Sequence, residues 1–282
     1  MRTKIFPVAA TAIVGATLSL LTAQTPKKGE NHDLGFKDTP ILPGLPYHVH
    51  DSDRPHPKVV TPASQPGGAP SDAVVLFDGR DLSHWQSLAS PITKKGGSGS
   101  NEWKLENGYF EVVPGTGDLA TKDKFGDVQL HLEWSEPEDT TGRSQARGNS
   151  GVILMGRYEI QVLDSYNSVT YADGQAGAIY GQWPPLANPT RKPGEWNVYD
   201  IVFIAPRFEG DKVKEPAYFT VFMNGVLLHN KQPSQGPMVY RQLAHYVVHG
   251  PEEPLVLQNH NSKVRFRNVW ARRLTGYDQP EK

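Results

Sequence analysis

The chain has 282 residues, 29 basic against 30 acidic side chains, a net charge of -1 and no cysteine. Near-neutral charge leaves no electrostatic footprint for nucleic acid or an anionic membrane surface. The missing thiols exclude disulfides, thiolate metal sites, a cysteine nucleophile and a lipidated N-terminal cysteine. With 27 glycines, 24 prolines and 10% aromatics, the composition indicates a turn-rich, mostly β protein with enough rings to pack a core.

Residues 1–23 read as an export signal. Arg2 and Lys4 give a positive start, an apolar run covers 5–21, and Thr22-Ala23 makes a small-residue exit. The run is shorter than the ~20 residues of a spanning helix, so cleavage is expected, with an uncleaved anchor as the alternative. Secretion, or export to a bacterial periplasm, follows as the expected location.

Residues 24–71 hold nine of the 24 prolines and few large apolar side chains, the composition of a linker or an extended arm. Within it, His48, His50, Asp51, Asp53 and His56 gather metal-ligand types. The X-Pro pairs there hold the backbone extended and splay alternate side chains, which favours an ordered arm over a metal site.

From Ala73 onward, short alternating runs stand between Gly, Pro, Asn and Asp clusters. The expected strands are 74–77, 103–113, 128–134, 152–155, 158–163, 196–204, 218–222, 226–228, 255–260 and 264–274. Asn107-Gly108 and Asn224-Gly225 sit where hairpins need positive φ. About ten short strands in ~200 residues is the size of one β-sandwich. The loops 136–148 and 165–195 are long for a compact domain, and such loops are more often walls of a site than accidents.

Alternation sorts the side chains into faces. Gln129, His131 and Glu133 lie opposite Val128, Leu130, Leu132 and Trp134. Glu159 and Gln161 lie opposite Ile160 and Val162, and Gln258 and His260 opposite Leu255 and Leu257. Three strands therefore offer faces of amide, carboxylate and imidazole groups, which make directional hydrogen bonds to hydroxyls and carbonyls. An ordinary solvated outer face is the competing explanation.

The ordered series of motifs resembles the 3-keto-disaccharide hydrolase family. It opens with Leu76-Phe77-Asp78-Gly79, Leu82 and Trp85. It runs on through Trp103, Asn107-Gly108, Gly117-Asp118-Leu119-Ala120-Thr121 and Phe125-Gly126-Asp127-Val128 to Glu133-Trp134. Asn149-Ser150-Gly151-Val152 leads to Tyr158-Glu159-Ile160-Gln161-Val162-Leu163-Asp164, followed by Gly194-Glu195-Trp196-Asn197 and Asn224-Gly225-Val226. Leu257-Gln258-Asn259-His260 and Val264-Arg265-Phe266-Arg267-Asn268-Val269 close it. Asn261-Ser262-Lys263 stands where the family usually carries a glycine-containing turn.

The resemblance implies an all-β, concanavalin A-like jelly roll of two curved antiparallel sheets over residues 72–276, with 277–282 as a tail. It also implies a secreted bacterial enzyme that cleaves glycosides whose glucose is oxidised at C3. In such chemistry a base takes the acidified C2 proton, the enediolate expels the C1 group, and water adds back.

Glu159 and His260 are the first acid/base candidates, with His131 and Glu133 next. Asn149, Gln161 and Gln258 suit hydroxyl binding, and Arg267 suits the enediolate if it faces the cleft. Asp164 reads as a turn cap, a cation ligand or a site residue, and Trp196 as core or a sugar-stacking platform. Gly151 reads as a conformational residue in a tight turn. Glu159, His131, Glu133 and His260 include ligand types compatible with a divalent cation, without a spacing that supports one. No nicotinamide or flavin fingerprint is present, so a separate C3-oxidising dehydrogenase is implied upstream. The competing functions are a lectin-like carbohydrate-binding module and an ordinary glycosidase pairing Glu159 with Glu133 or Asp164.

Overall fold

A computed structural model describes residues 34–97 and 102–278; the export-signal reading lies outside them. The described residues divide into two compact units, one ending at His56 and the other beginning at Pro57. In the first, an antiparallel bridge joins Ile41 to His48. The Asp51 carboxylate there accepts from the His48 and Asp53 amides and pairs with Lys37, and His48 Nδ1 bonds the Thr39 carbonyl. Among the described residues, no three His, Asp or Glu side chains converge on a point that could hold an ion. No helix among them is long and apolar enough to cross a membrane.

The second unit is the sandwich. Its strands in chain order are β1 (Val74–Phe77), β2 (Trp85–Leu88), β3 (Lys104–Glu106), β4 (Tyr109–Glu111), β5 (Asp118–Phe125), β6 (Val128–Ser135), β7 (Ser150–Leu154) and β8 (Tyr158–Val162). They continue as β9 (Asn197–Ile204), β10 (Arg207–Glu209), β11 (Lys212–Glu215), β12 (Tyr218–Met223), β13 (Val226–Pro233), β14 (Glu253–Leu257) and β15 (Arg265–Arg273). One sheet has eight strands in the order β13-β12-β9-β6-β15-β4-β3, with β1 also on β15; the other has five, β2-β5-β14-β7-β8. The strand pairings within them are antiparallel. This is the jelly-roll sandwich expected.

Alternation builds the core. Leu130, Leu132 and Trp134 of β6, with Tyr199, Ile201 and Phe203 of β9, face Leu119, Val152, Ile160 and Leu257 of the smaller sheet, all buried. Aromatic contacts join the two layers: Trp85 of β2 meets Phe110 of β4 at 5.7 Å, and Tyr158 of β8 meets Phe203 of β9 at 5.5 Å. The expected hairpin turns are present, Asn107-Gly108 joining β3 to β4 and Asn224-Gly225 joining β12 to β13, all four residues at positive φ.

Strands β2, β5, β10 and β11 were not expected. β5 carries Asp118, Ala120, Lys122 and Lys124 on its non-core positions, too polar and too small to alternate visibly. In the other direction, β14 ends at Leu257, so Gln258 and His260 lie just past a strand rather than on it. The arm is part of this unit from Pro57 onward. Its Gly67 carbonyl accepts from Asn268 Nδ2 and Trp270 Nε1, each at 2.9 Å, and Asp72 pairs with Arg272 at 2.7 Å. Residues 57–72 are thereby fastened to the outer face of the eight-stranded sheet.

Candidate active site

The outer face of the five-stranded sheet is the floor of a cleft of about 940 Å³. Strand register lays the floor out as rows. Glu159 pairs with Ile153, which pairs with Val256, which pairs with Ala120. One same-face step along, Gln161 pairs with Gly151, and the Gln258 amide donates to the Gly151 carbonyl at 3.0 Å. Asp118 lies across from Gln258, its carboxylate taking the Asn259 amide at 2.8 Å. Asn149 and His260 come next. Five sequence-predicted residues, Asn149, Glu159, Gln161, Gln258 and His260, thus meet on one surface.

Glu159 is the only carboxylate among the described residues that line this cleft. It is 3% exposed, and no described residue donates a hydrogen bond to its carboxyl group. Burial pushes its pKa up to about 8, and the negative Asp118 nearby adds to the rise. The room for this side chain comes from Gly151. A Cβ there would stand 2.2 Å from Glu159 Oε1. Gly151 lies inside β7 without a positive φ, so the conformational role expected for it is corrected: it is a clearance for the carboxylate.

Around the carboxyl group stand amides. Gln161 Nε2 donates to Gln145 Oε1 at 2.9 Å, and Asn149 Nδ2 to the Gln145 carbonyl at 2.8 Å. The remaining acceptors, Gln161 Oε1 and Gln258 Oε1, are buried with no partner. Buried acceptors left open are the counterpart of a ligand rich in hydroxyl donors. Burial lowers the pKa of His260, which keeps it neutral at pH 7.

The two long loops supply walls that individual residues in the sequence did not announce. From the first come Arg143 and a short 3-10 turn, Ser144–Ala146, that carries Gln145. From the second come Tyr171 and Tyr180, whose hydroxyls meet at 3.1 Å. Residues 177–180 of that loop bond along β8: the Gln161 amide to the Ala178 carbonyl, Gly177 to Gln161 and Tyr180 to Glu159. This places Tyr180 beside Glu159. Met238, Val239 and Tyr240 line another side, and Pro91 and Ile92 a further one, from stretches the sequence did not single out.

The other predicted residues are elsewhere. His131 and Glu133 lie on the outer face of the eight-stranded sheet, because β6 belongs to that sheet. His131 Nδ1 bonds Asp200 at 2.6 Å and its ring stacks on Trp270 at 5.1 Å and 9°. Arg267 pairs with Glu133 at 2.6 Å and lies over the Trp196 ring at 4.1 Å. Trp196 is therefore neither core nor a cleft platform, and Arg267 cannot reach the cleft; the guanidinium that lines it is Arg143. Asp164 is inside the sandwich end, bonding the Tyr166 amide as a turn cap and pairing with Arg147 at 2.5 Å. Gly148 packs between it and the fully buried Glu136. The carboxylate pairs Glu159–Glu133 and Glu159–Asp164, on which the ordinary-glycosidase reading rested, are not formed across the cleft.

Comparison with known proteins gives the family and the fold. A candidate glycosyl hydrolase from Parabacteroides distasonis, known from its crystal structure, is 44% identical over 83% of this chain and 100% of its own, with a TM-score of 0.73. A second candidate glycosyl hydrolase from that organism is 20% identical over 72% of this chain and 94% of its own. Its TM-score of 0.52 speaks for the fold alone. Among curated proteins none matches the chain. The model of a 3-keto-alpha-glucoside-1,2-lyase-like domain matches residues 72–272, the stretch that forms both sheets and the cleft, and the chain belongs to that glycosyl hydrolase-like family.

Proposed function

We propose that the protein cleaves glycosides whose glucose ring carries a ketone at C3, by elimination across C1 and C2 followed by hydration. The single observation that carries this reading is Glu159: a buried carboxyl with no donor, a pKa raised to about 8, and hydroxyl-binding amides on one side. Such a group is a base matched to a weakly acidic C–H, not a member of a carboxylate pair.

In the step, Glu159 takes the C2 proton and the C2–H electrons form the C2=C3 enediolate, with charge on O3. Collapse restores the C3 ketone, forms C1=C2 and breaks the C1–O bond, releasing the aglycone. Water then adds at C1 and a proton returns to C2. Arg143, with the second amide hydrogen of Gln161, supplies donors for the O3 charge. Protonated Glu159 gives its proton to the departing oxygen, neutral His260 accepts from the water that adds at C1 and returns that proton to C2, and Gln258 and Asn149 hold ring hydroxyls. The ketone would be made by a separate dehydrogenase, and export of this chain by its N-terminal segment belongs to the same proposal.

The test incubates the protein with a 3-keto-α-glucoside and its unoxidised parent, with and without a chelator, and follows the enone by its absorbance. Cleavage of the keto compound alone supports elimination. Cleavage of both refutes it in favour of an ordinary glycosidase, and binding without cleavage refutes it in favour of a lectin-like module.

A further inference from the structure

Resting on that reading of the cleft, we infer that its leaving-group half is built for an apolar, aromatic aglycone rather than for a second sugar. Glu159 stands on a boundary. On one side are the rows of Gln161, Gln258, Asn149 and His260. On the other, its own row continues as Ile153, Val256 and Ala120, a small apolar cluster separate from the main core. Same-face rows are ~6.8 Å apart, on the order of one ring of a glycoside. A glucose bound over the amide rows therefore points its C1 substituent toward Met238, the cleft residue that covers the apolar row.

Met238 packs down on that row. The wall beside it is Val239 and Tyr240, facing Tyr171 and Tyr180, whose hydroxyls are bonded to each other. The same four side chains line an adjoining hollow of about 520 Å³, whose rim carries the polar Asp173 and Arg241. A second sugar would bring several hydroxyls into this half, where the open acceptors of the cleft do not reach. The unpartnered amide oxygens, Gln161 Oε1 and Gln258 Oε1, are both on the glucose side. Rings and a thioether instead offer apolar and stacking contact, with the far end of the aglycone at a polar rim.

The test measures binding by calorimetry to the Glu159→Gln protein, which does not turn over. The ligands are 4-nitrophenyl 3-keto-α-glucoside and an α-linked glucose disaccharide oxidised at C3 of its non-reducing ring. The aryl compound is expected to bind at least about tenfold more tightly. Met238→Ser should weaken it about tenfold and the disaccharide less than about threefold, by loss of buried apolar surface. Tyr240→Ser, at an exposed wall position, repeats the measurement if Met238→Ser does not fold. Equal affinities, or a loss shared equally by both ligands, would overturn the inference, as would failure of the aryl compound to bind. Turnover by the unsubstituted protein is read separately. An intact aryl preference without turnover would refute the elimination and leave the subsite standing.

Discussion

Gly151→Ala is the sharpest perturbation of the site, because it adds one methyl group and changes no charge. The new Cβ would lie 2.2 Å from Glu159 Oε1, 2.9 Å from its Cδ and 3.2 Å from its Cγ, where ordinary contact begins at 3.4 Å. The carboxyl oxygen must therefore retreat by about 1.2 Å, the difference between 3.4 and 2.2 Å. The obstacle is the far end of a side chain and Gly151 has no positive φ, so the backbone can stay. In a compatible conformation, alanine for glycine stabilises by roughly 0.4–1 kcal/mol through the unfolded chain. A misplacement of ~1 Å at a catalytic base costs about a hundredfold in rate. The expected protein is thus as stable as the parent and about a hundredfold slower in kcat/KM. Thermal melting and single-turnover kinetics on the 3-keto-glucoside measure both quantities. Adding Gly151→Ala to Glu159→Gln should bring little further loss. A stable Gly151→Ala protein within threefold of parental activity would refute the placement of Glu159 as the base.

Three further outcomes follow from the same geometry. Glu159→Gln should lower kcat/KM by about a thousandfold while leaving ligand binding in place. It should also change the pH dependence of stability. Because the folded-state pKa is raised from 4.5 to about 8, the unfolded chain releases its proton first and parental stability falls across that interval. The glutamine protein lacks this contribution, so its advantage in urea titrations should grow from pH 5 to pH 9; a constant difference would contradict the burial argument. Arg143→Ala should slow turnover, whereas Arg267→Ala should leave kcat/KM within about twofold and cost at most ~1 kcal/mol, since its Glu133 pair is partly exposed. The reverse pattern would put the site on the wrong sheet. Trp270→Phe removes one hydrogen bond to Gly67, worth ~1 kcal/mol, so amide exchange over residues 60–73 should rise about fivefold while cleft peptides are unchanged.

What the sequence could convey was set by periodicity. Alternation located β6, β8 and the approach to His260, and it correctly separated core from outer positions at Glu159 and Gln161. It could not tell which sheet a strand joins. A sandwich has two outer faces with the same alternating signature, so His131 and Glu133 looked as cleft-like as Glu159. Only long-range pairing, β6 with β15 and β9 but β8 with β7, separates them. β5 was hidden because its outer face lacks large apolar side chains: Ala120 is buried beside Ile153 and Val256, and the Asp118 carboxylate takes the Asn259 amide. The departure at Asn261 resolves physically: φ there is 63°, the left-handed region a glycine usually occupies, and the Asn261 side chain takes the Gly115 amide at 2.9 Å. The long loops were legible as walls by length alone, but Arg143, Gln145, Tyr171 and Tyr180 carry no periodic signal.

The segment 177–180 that bonds along β8 has a meaning beyond the side chain it delivers. β8 is the last strand of its sheet, and without that cover its open amides and carbonyls would offer a template to any extended chain. The loop that shapes the pocket is thus also the guard of the sheet's border. Shortening or replacing it to alter substrate choice would bare an adhesive edge, so a protein reshaped in that way should aggregate before it changes preference. Ring-for-ring exchanges at Tyr171 and Tyr180 leave the main-chain bonds alone, and natural or engineered diversification of this cleft is channelled into them.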